Sequence, residues 1–294
     1  MQYVITGSLG HISQPLTQLL LQAGHQVSVI SSDPHKATAI EQLGAVALIG
    51  SLADKGFVTQ AFRGANAVYT MIPPNLQTSD WAAYIQAISE AYQAAIQASG
   101  VPKVVHLSAM GAHLAQGAGL ASLYHQVEQQ FNALAAAEIV HLRPATFYTN
   151  FLGNMGLIKQ QGIMGSNYGD VSLPMTHPND IAQAAFAALT RRESGGKAVQ
   201  YVVSDERWTD QIAGVLGASI GKPALGWVRF SDEDAWGGMV QAGLSEDVAT
   251  QLVAMGQAVA RGESMADYRQ HPSSLYPTKL EEFAVEFAKQ YAVA

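Results

Sequence analysis

The feature that most constrains this chain is an alternation. Short runs rich in β-branched and apolar residues recur at 3–6 (YVIT), 26–31 (QVSVIS), 45–50 (AVALIG), 67–72 (AVYTMI), 103–108 (KVVHLS) and 139–143 (IVHLR). Between them, apolar residues fall at three-to-four spacing, as at Ile12, Leu16, Leu19 and Leu20, with Gly24 placed as a helix stop. The longest such segment, 79–99, carries Trp81, Tyr84, Ile85, Ile88, Tyr92 and Ile96 along one stripe, a core face. Strands separated by helices of 10–20 residues cannot close as tight hairpins. Each connection has to cross a sheet face, which makes neighbouring strands parallel.

The expected fold class is therefore α/β: a Rossmann-type doubly wound parallel sheet with a smaller α/β C-terminal lobe. The rhythm changes near residue 150. A helix entered through Pro178, Asn179 and Asp180 (175–190) and a strand at 198–204 are followed by helical stretches around 207–220, 231–243, 245–261 and 280–292. Residues 1–150 are read as the dinucleotide-binding domain. Residues 151–294 are read as the substrate lobe, packed on the first and contributing back to it, because no repeat or low-complexity linker separates them.

Composition narrows the function classes. With no cysteine among 294 residues, disulfides, thiolate catalysis and cysteine–zinc sites are excluded. A net charge of −7 argues against a nucleic-acid footprint. No apolar run reaches the length of a membrane span, and MQYVITG enters a strand with no basic leader. The expectation is a cytoplasmic protein with a small-molecule substrate, no nucleic-acid or membrane partner and no metal. A homodimer or a regulatory protein partner stays open.

The stretch ITGSLGHISQPL (5–16) is a strand end, a glycine turn and a helix start. Such a turn presents unpaired backbone N–H groups and the positive end of a helix dipole to an anion. Glycines let the backbone approach a pyrophosphate closely. Gly7 and Gly10 occupy two of the three usual places, and Ser13 stands in the third. An acidic residue at the end of the second strand suits the ribose of NAD, and a basic one the phosphate of NADP. Here Ser31 and Ser32 precede Asp33, Pro34, His35 and Lys36. Two hydroxyls and a nearby lysine favour NADP(H) over NAD(H), with Asp33 two residues late and free to cap the next helix.

Together with GSLAD (50–54), TMIPP (70–74), VVHLSAMGA (104–112), HLRPATFYTNFL (141–152) and HPNDIA (177–182), this stretch resembles the NmrA-like family over nearly the whole chain. These are atypical short-chain dehydrogenases/reductases. The resemblance implies that Gly7, Ser8, Leu9, Gly10, His11 and Ile12 wrap the pyrophosphate. It implies further that Ser31, Ser32 and Lys36 meet the adenosine ribose or its phosphate, and that Ser51 and Leu52 flank the adenine. Ile72, Pro73 and Pro74 would pass under the second ribose. Ser108, Ala109 and Met110, with Pro144, Ala145 and Phe147, would lie beside the nicotinamide.

Typical short-chain dehydrogenases use Tyr-x-x-x-Lys, in which the lysine lowers the tyrosine pKa for proton exchange. None of the 11 tyrosines has a lysine four residues on, and Tyr124 is followed at that spacing by Glu128. Candidate catalytic groups are then His125, Tyr124 and Ser108. His125 and Glu128, three apart, share a helix face and read most simply as an exposed pair. Arg143 is either an anchor for an anionic substrate or a structural partner. Quinones accept hydride readily and ask little beyond positioning. The expected function is NAD(P)H-dependent reduction of a quinone or small carbonyl acceptor without the tyrosine–lysine pair. The alternative is a non-catalytic NAD(P)-binding redox sensor that acts through a protein partner.

Overall fold

The computed structural model describes residues 1–191 and 195–293. The first half alternates as the hydrophobic pattern requires: β1 (Gln2–Ile5), α1 (Ser13–Gln22), β2 (Gln26–Ser31), α2 (Ala37–Gln42), β3 (Val46–Ile49), α3 (Lys55–Phe62), β4 (Ala67–Thr70), α4 (Trp81–Ser99), β5 (Lys103–Leu107), α5 (Leu120–Asn132) and β6 (Glu138–Pro144). Then follow β7 (Thr146–Phe147), α6 (Met155–Gln161), β8 (Met164–Ser166), β9 (Ser172–Thr176), α7 (Pro178–Thr190), β10 (Lys197–Val202), β11 (Asp205–Trp208), α8 (Thr209–Ser219) and β12 (Trp227–Arg229). Helices α9 (Asp232–Gln241), α10 (Glu246–Ala260), α11 (Ala266–Gln270) and α12 (Leu280–Val293) complete the described chain.

The main sheet has seven strands in the order β10-β6-β5-β4-β1-β2-β3. Every pairing in it is parallel. The order reverses between β1 and β4, the place where open α/β sheets leave a crevice at their carboxyl edge. Because helices cover both faces, β4, β5 and β6 are buried along their whole length. One face packs Tyr3, Ile5 and Tyr69 against Leu16 and Leu20 of α1 and Ile181 of α7. The other packs Val4, Val68 and Val104 against Phe62, Ile85, Tyr92 and Phe131 from α3, α4 and α5.

Two segments beyond residue 150 return to this sheet: β10 pairs with β6, and α7 lies on the same face as α1. The helix α7 starts where Pro178 fixes the first helical position and the His177 Nδ1 accepts from the Asn179 N–H at 3.1 Å. Asp180, wholly buried, accepts from the Ser204 hydroxyl at 2.6 Å and the Thr278 hydroxyl at 2.9 Å, tying the approach to α12 onto α7. A three-stranded sheet (β11-β9-β7) and the pair β12-β8 build the rest around a second core of Tyr148, Phe151, Ile212 and Phe283. Met155, Met164 and Met175 are buried in that core. The acidic stretch 231–236 opens α9, where the Ser231 hydroxyl caps the Asp234 N–H at 3.0 Å. Among the described residues no helix is long and apolar enough to cross a membrane.

Candidate active site

The cofactor-binding candidates follow the carboxyl ends of β1, β2, β3, β4, β5 and β6, while Tyr124 and His125 lie within α5. The turn after β1 is shaped by one glycine above all. Gly7 has φ +94°, and a Cβ there would stand 2.6 Å from the Ser13 Oγ. Ser13 is buried and its hydroxyl donates to the Thr6 carbonyl at 2.7 Å. The residue in the third-glycine place thus closes the space beneath the turn with a hydrogen bond. The Met71 N–H donates to the Thr6 Oγ1 at 2.8 Å, which joins the end of β1 to the end of β4. Gly10 and His11 are exposed at the entrance to α1. A turn with Cβ-free glycines at both ends, Gly7 and Gly10, leading into a helix start, fits a pyrophosphate.

At the end of β2, Ser31 and Ser32 differ. Ser31 is buried; its hydroxyl accepts from the Ser8 hydroxyl at 3.0 Å and from the Asp33 N–H at 3.1 Å. Ser32, His35 and Lys36 are exposed. The Asp33 carboxylate accepts from the His35 N–H at 2.9 Å and caps a short 3₁₀ turn, Pro34–Lys36. Ser51 is exposed, while Leu52 is half-buried against the α3/α4 core.

After β4, Ile72 is buried and two tyrosines of α4 hold the backbone beside it. Tyr92 donates to the Met71 carbonyl at 2.7 Å and Tyr84 to the Pro73 carbonyl at 3.0 Å; Pro74 is exposed. After β5, the Met110 N–H donates to the Pro144 carbonyl at 3.0 Å, which binds the 108–110 segment to the junction of β6 and β7. Ala109, Met110 and Phe147 are half-buried, and Pro144 and Ala145 are buried. Leu9, Met71 and Phe147, from three different segments, all pack as partly buried side chains on the α1/α7 core.

The exposed pair expected of His125 and Glu128 is not formed. Glu128 is 2 % exposed and faces inward. Arg143 grips it twice, Nε to Oε1 at 3.0 Å and Nη2 to Oε2 at 2.6 Å, and the Ser108 hydroxyl donates to the same Oε1 at 2.5 Å. Arg143 also donates through Nη1 to the Tyr201 hydroxyl at 3.1 Å and to Asp267 Oδ2 at 3.0 Å; Tyr201 donates to that same oxygen. Burial disfavours the guanidinium charge, but the Glu128 carboxylate more than restores it and holds the Arg143 pKa above its ordinary value. The Tyr201 hydrogen bond, with Arg143 beside it, keeps Asp267 below the usual carboxylate range. Of the two roles open to Arg143, the structure shows the structural one.

His125 is half-buried and donates from Nδ1 to the Ala112 carbonyl at 2.9 Å, which fixes the ring. Tyr124 is half-buried, and desolvation pushes its phenol well above the ordinary range. Sequence reasoning missed three neighbours: Tyr201, Asp267 and His113. The first two lie 58 and 124 residues beyond Arg143. His113, half-buried, has its Nδ1 buried with no hydrogen-bond partner among the described residues. Burial lowers its pKa, although Asp267 opposes the shift. Its place five residues beyond Ser108, on the segment leaving β5, was the signal available.

The chain resembles known proteins over most of its length. It is 26% identical to a (4-alkanoyl-5-oxo-2,5-dihydrofuran-3-yl)methyl phosphate reductase of Streptomyces griseus over 229 residues, 76% of this chain and 77% of that protein. An NADPH-dependent quinone oxidoreductase of Escherichia coli, solved with NADPH, shares the fold with TM-score 0.79 at 22% identity, covering 97% of this chain and 99% of that one. A nucleoside-diphosphate-sugar epimerase of Staphylococcus aureus does so with TM-score 0.80 at 17% identity, covering 97% and 100%. The sequence profile of the NAD(P)H-binding family matches residues 7–191, from the glycine turn to the end of α7 and so well over half the chain; this protein belongs to that family.

Proposed function

We propose that the protein is an NAD(P)H-dependent oxidoreductase that delivers a hydride to a quinone or small carbonyl acceptor, with NADP(H) preferred. The observation that carries this reading is the carboxyl edge itself. Three half-buried apolar side chains, Leu9, Met71 and Phe147, share one core there, and the nearby arginine is neutralised by Glu128 and Asp267. A surface of that kind suits a flat, uncharged acceptor stacked beside a nicotinamide ring. Named reductases among the relatives support it, and the quinone oxidoreductase of the same fold supports the acceptor class.

In this reading Gly7 to Ile12 hold the pyrophosphate, and Ser32 and Lys36 hold the 2′-phosphate. Ser51 and Leu52 flank the adenine, Ile72 to Pro74 the second ribose, and Ala109, Met110, Pro144, Ala145 and Phe147 the nicotinamide. One oxygen of the Asp33 carboxylate is taken up by its cap, two residues beyond the strand end where an acidic residue would meet the ribose of NAD, which favours NADP(H). The reduced cofactor, when bound, supplies the hydride. His125 is the proton donor in this reading: with its Nδ1–H fixed on the Ala112 carbonyl, the doubly protonated ring carries its second proton on Nε2, gives it to the acceptor oxygen and is left as the neutral Nδ1–H form. Tyr124 stays protonated and contributes bulk and orientation. The Ser108 hydrogen is given to Glu128, so Ser108 positions the turn.

The test is rapid mixing of the protein and NADPH with a panel of quinones and small carbonyl compounds, following cofactor absorbance. Oxidation of NADPH faster than that of NADH supports the reading. Tight cofactor binding with no turnover on any acceptor overturns it and leaves a redox-sensing regulator.

A further inference from the structure

The end of β2 carries a hydroxyl with no capacity left for a ligand. Ser31 is 3 % exposed. Its oxygen accepts from Ser8 Oγ at 3.0 Å and from the Asp33 N–H at 3.1 Å, and its hydrogen goes to the Asp33 carbonyl at 3.2 Å. A serine hydroxyl has one hydrogen and two lone pairs, so every valence is filled inside the protein.

Ser8, at the other end of one of these bonds, has an unusual backbone. It has φ +55°, and among the described residues it is the only non-glycine with positive φ. That region disfavours an L side chain roughly tenfold or more in population. The Ser8 N–H also donates to the Ile30 carbonyl at 3.0 Å, so the turn is tied to β2 by backbone and side chain together.

We propose that Ser31 is a positioning residue for the cofactor turn and touches no part of the cofactor. Its hydroxyl holds Ser8 in the left-handed conformation, so that the turn from Gly7 to Gly10 stands ready before a pyrophosphate arrives. Selectivity for the 2′-phosphate then belongs to the exposed Ser32 and Lys36, and affinity for every dinucleotide belongs in part to Ser31. The proposal rests on the cofactor-binding reading above.

The test is calorimetric titration of the wild type, Ser31→Ala, Ser8→Gly and the double variant with NADP+, NAD+ and ADP-ribose, with melting midpoints alongside. Ser31→Ala is expected to weaken all three ligands about tenfold, the cost of an unsupported left-handed serine, with the NADP+ to NAD+ ratio unchanged. Glycine occupies the left-handed region without penalty, so Ser8→Gly makes Ser31 redundant. The double variant should therefore bind within about twofold of Ser8→Gly alone. A general folding defect from losing the Ser31 hydroxyl would persist in the double variant, whereas a loss of turn geometry is repaired there.

A changed NADP+ to NAD+ ratio in Ser31→Ala would mean that Ser31 contacts the ribose end, and it overturns the proposal. So does unaltered affinity in Ser31→Ala, or a double variant about tenfold weaker than Ser8→Gly alone. A wild type that binds none of the three ligands overturns the cofactor reading itself, a result that the variants do not mimic.

Discussion

A carboxylate buried as deeply as Glu128 has to be matched by donors, because an unpaired charge in a low-dielectric interior costs several kcal/mol. Arg143 supplies two of these donors and Ser108 the third. Replacing Arg143 by methionine strands the carboxylate and is expected to cost about 3–5 kcal/mol of unfolding free energy in a urea titration. Glu128→Gln should cost less, since Arg143 keeps Asp267 and Tyr201, and the double replacement should cost less than the sum of the two. An additive result would show that the pair is not coupled. The pairing was half legible: Arg143 stood out in the sequence, but helical spacing tells which residues share a stripe and not which stripe faces inward. His125, one turn away from Glu128, makes a separate prediction. His125→Gln should lower turnover of carbonyl acceptors about a hundredfold. Quinones, better hydride acceptors, should lose less, and the NADP+ dissociation constant should stay unchanged. Equal loss on both acceptor classes would remove His125 from the proton step.

At the scale of elements, the segment leaving β5 is shaped by what crosses it. Gly119 precedes α5 with φ +51°, and a Cβ there would lie 2.0 Å from the Gln251 carbonyl of α10. The backbone of α10 thus rests directly on the start of α5, and Val248 of α10 enters the same core as Val127 and Phe131 of α5. Gly119→Ala has to part the two helices and should cost roughly 3 kcal/mol or more in thermal unfolding. Gly117→Ala is the control: φ is +83° but nothing lies within 4 Å, so only the backbone penalty of about 1–2 kcal/mol applies. Equal effects at both sites would show that the α10 contact carries no weight. The strands of the first half could be read from the sequence because two-faced burial writes continuous apolar runs. The docking of α10 could not. A glycine before a helix looks like a turn residue, and the carbonyl that demands it lies 132 positions away (119 to 251).

Over the whole molecule, a source of acid sensitivity is expected in the middle of the main sheet. His106 and His141 sit opposite one another on β5 and β6, 0 % and 1 % exposed, with ring centroids 5.8 Å apart. His106 Nδ1 meets the Thr70 hydroxyl at 3.0 Å and His141 Nε2 meets Asn132 Oδ1 at 3.0 Å. The remaining nitrogens, His106 Nε2 and His141 Nδ1, have no partner among the described residues. Two imidazoles so placed are held neutral. Burial pushes His106 well below 6.5, with His141 beside it adding to the shift, and burial takes His141 from 6.5 down to about 4. The unfolded chain, by contrast, takes up these protons near pH 6.5. Between pH 6.5 and about 4 the unfolded state therefore binds more protons than the folded one, and stability must fall as pH falls. For His141 alone the loss is about 3 kcal/mol by pH 4, and His106 adds to it in the same direction. Depressed carboxylates such as Asp267 and Asp232 act with the same sign at lower pH, where they too begin to protonate. The measurement is unfolding free energy from urea titrations at steps between pH 7.5 and 4. His141→Phe is expected to flatten the slope in that window even though it loses the Asn132 hydrogen bond, because a phenyl ring takes up no proton in either state. If the variant keeps the wild-type slope, the acid sensitivity belongs to other groups and the sheet centre is not its source.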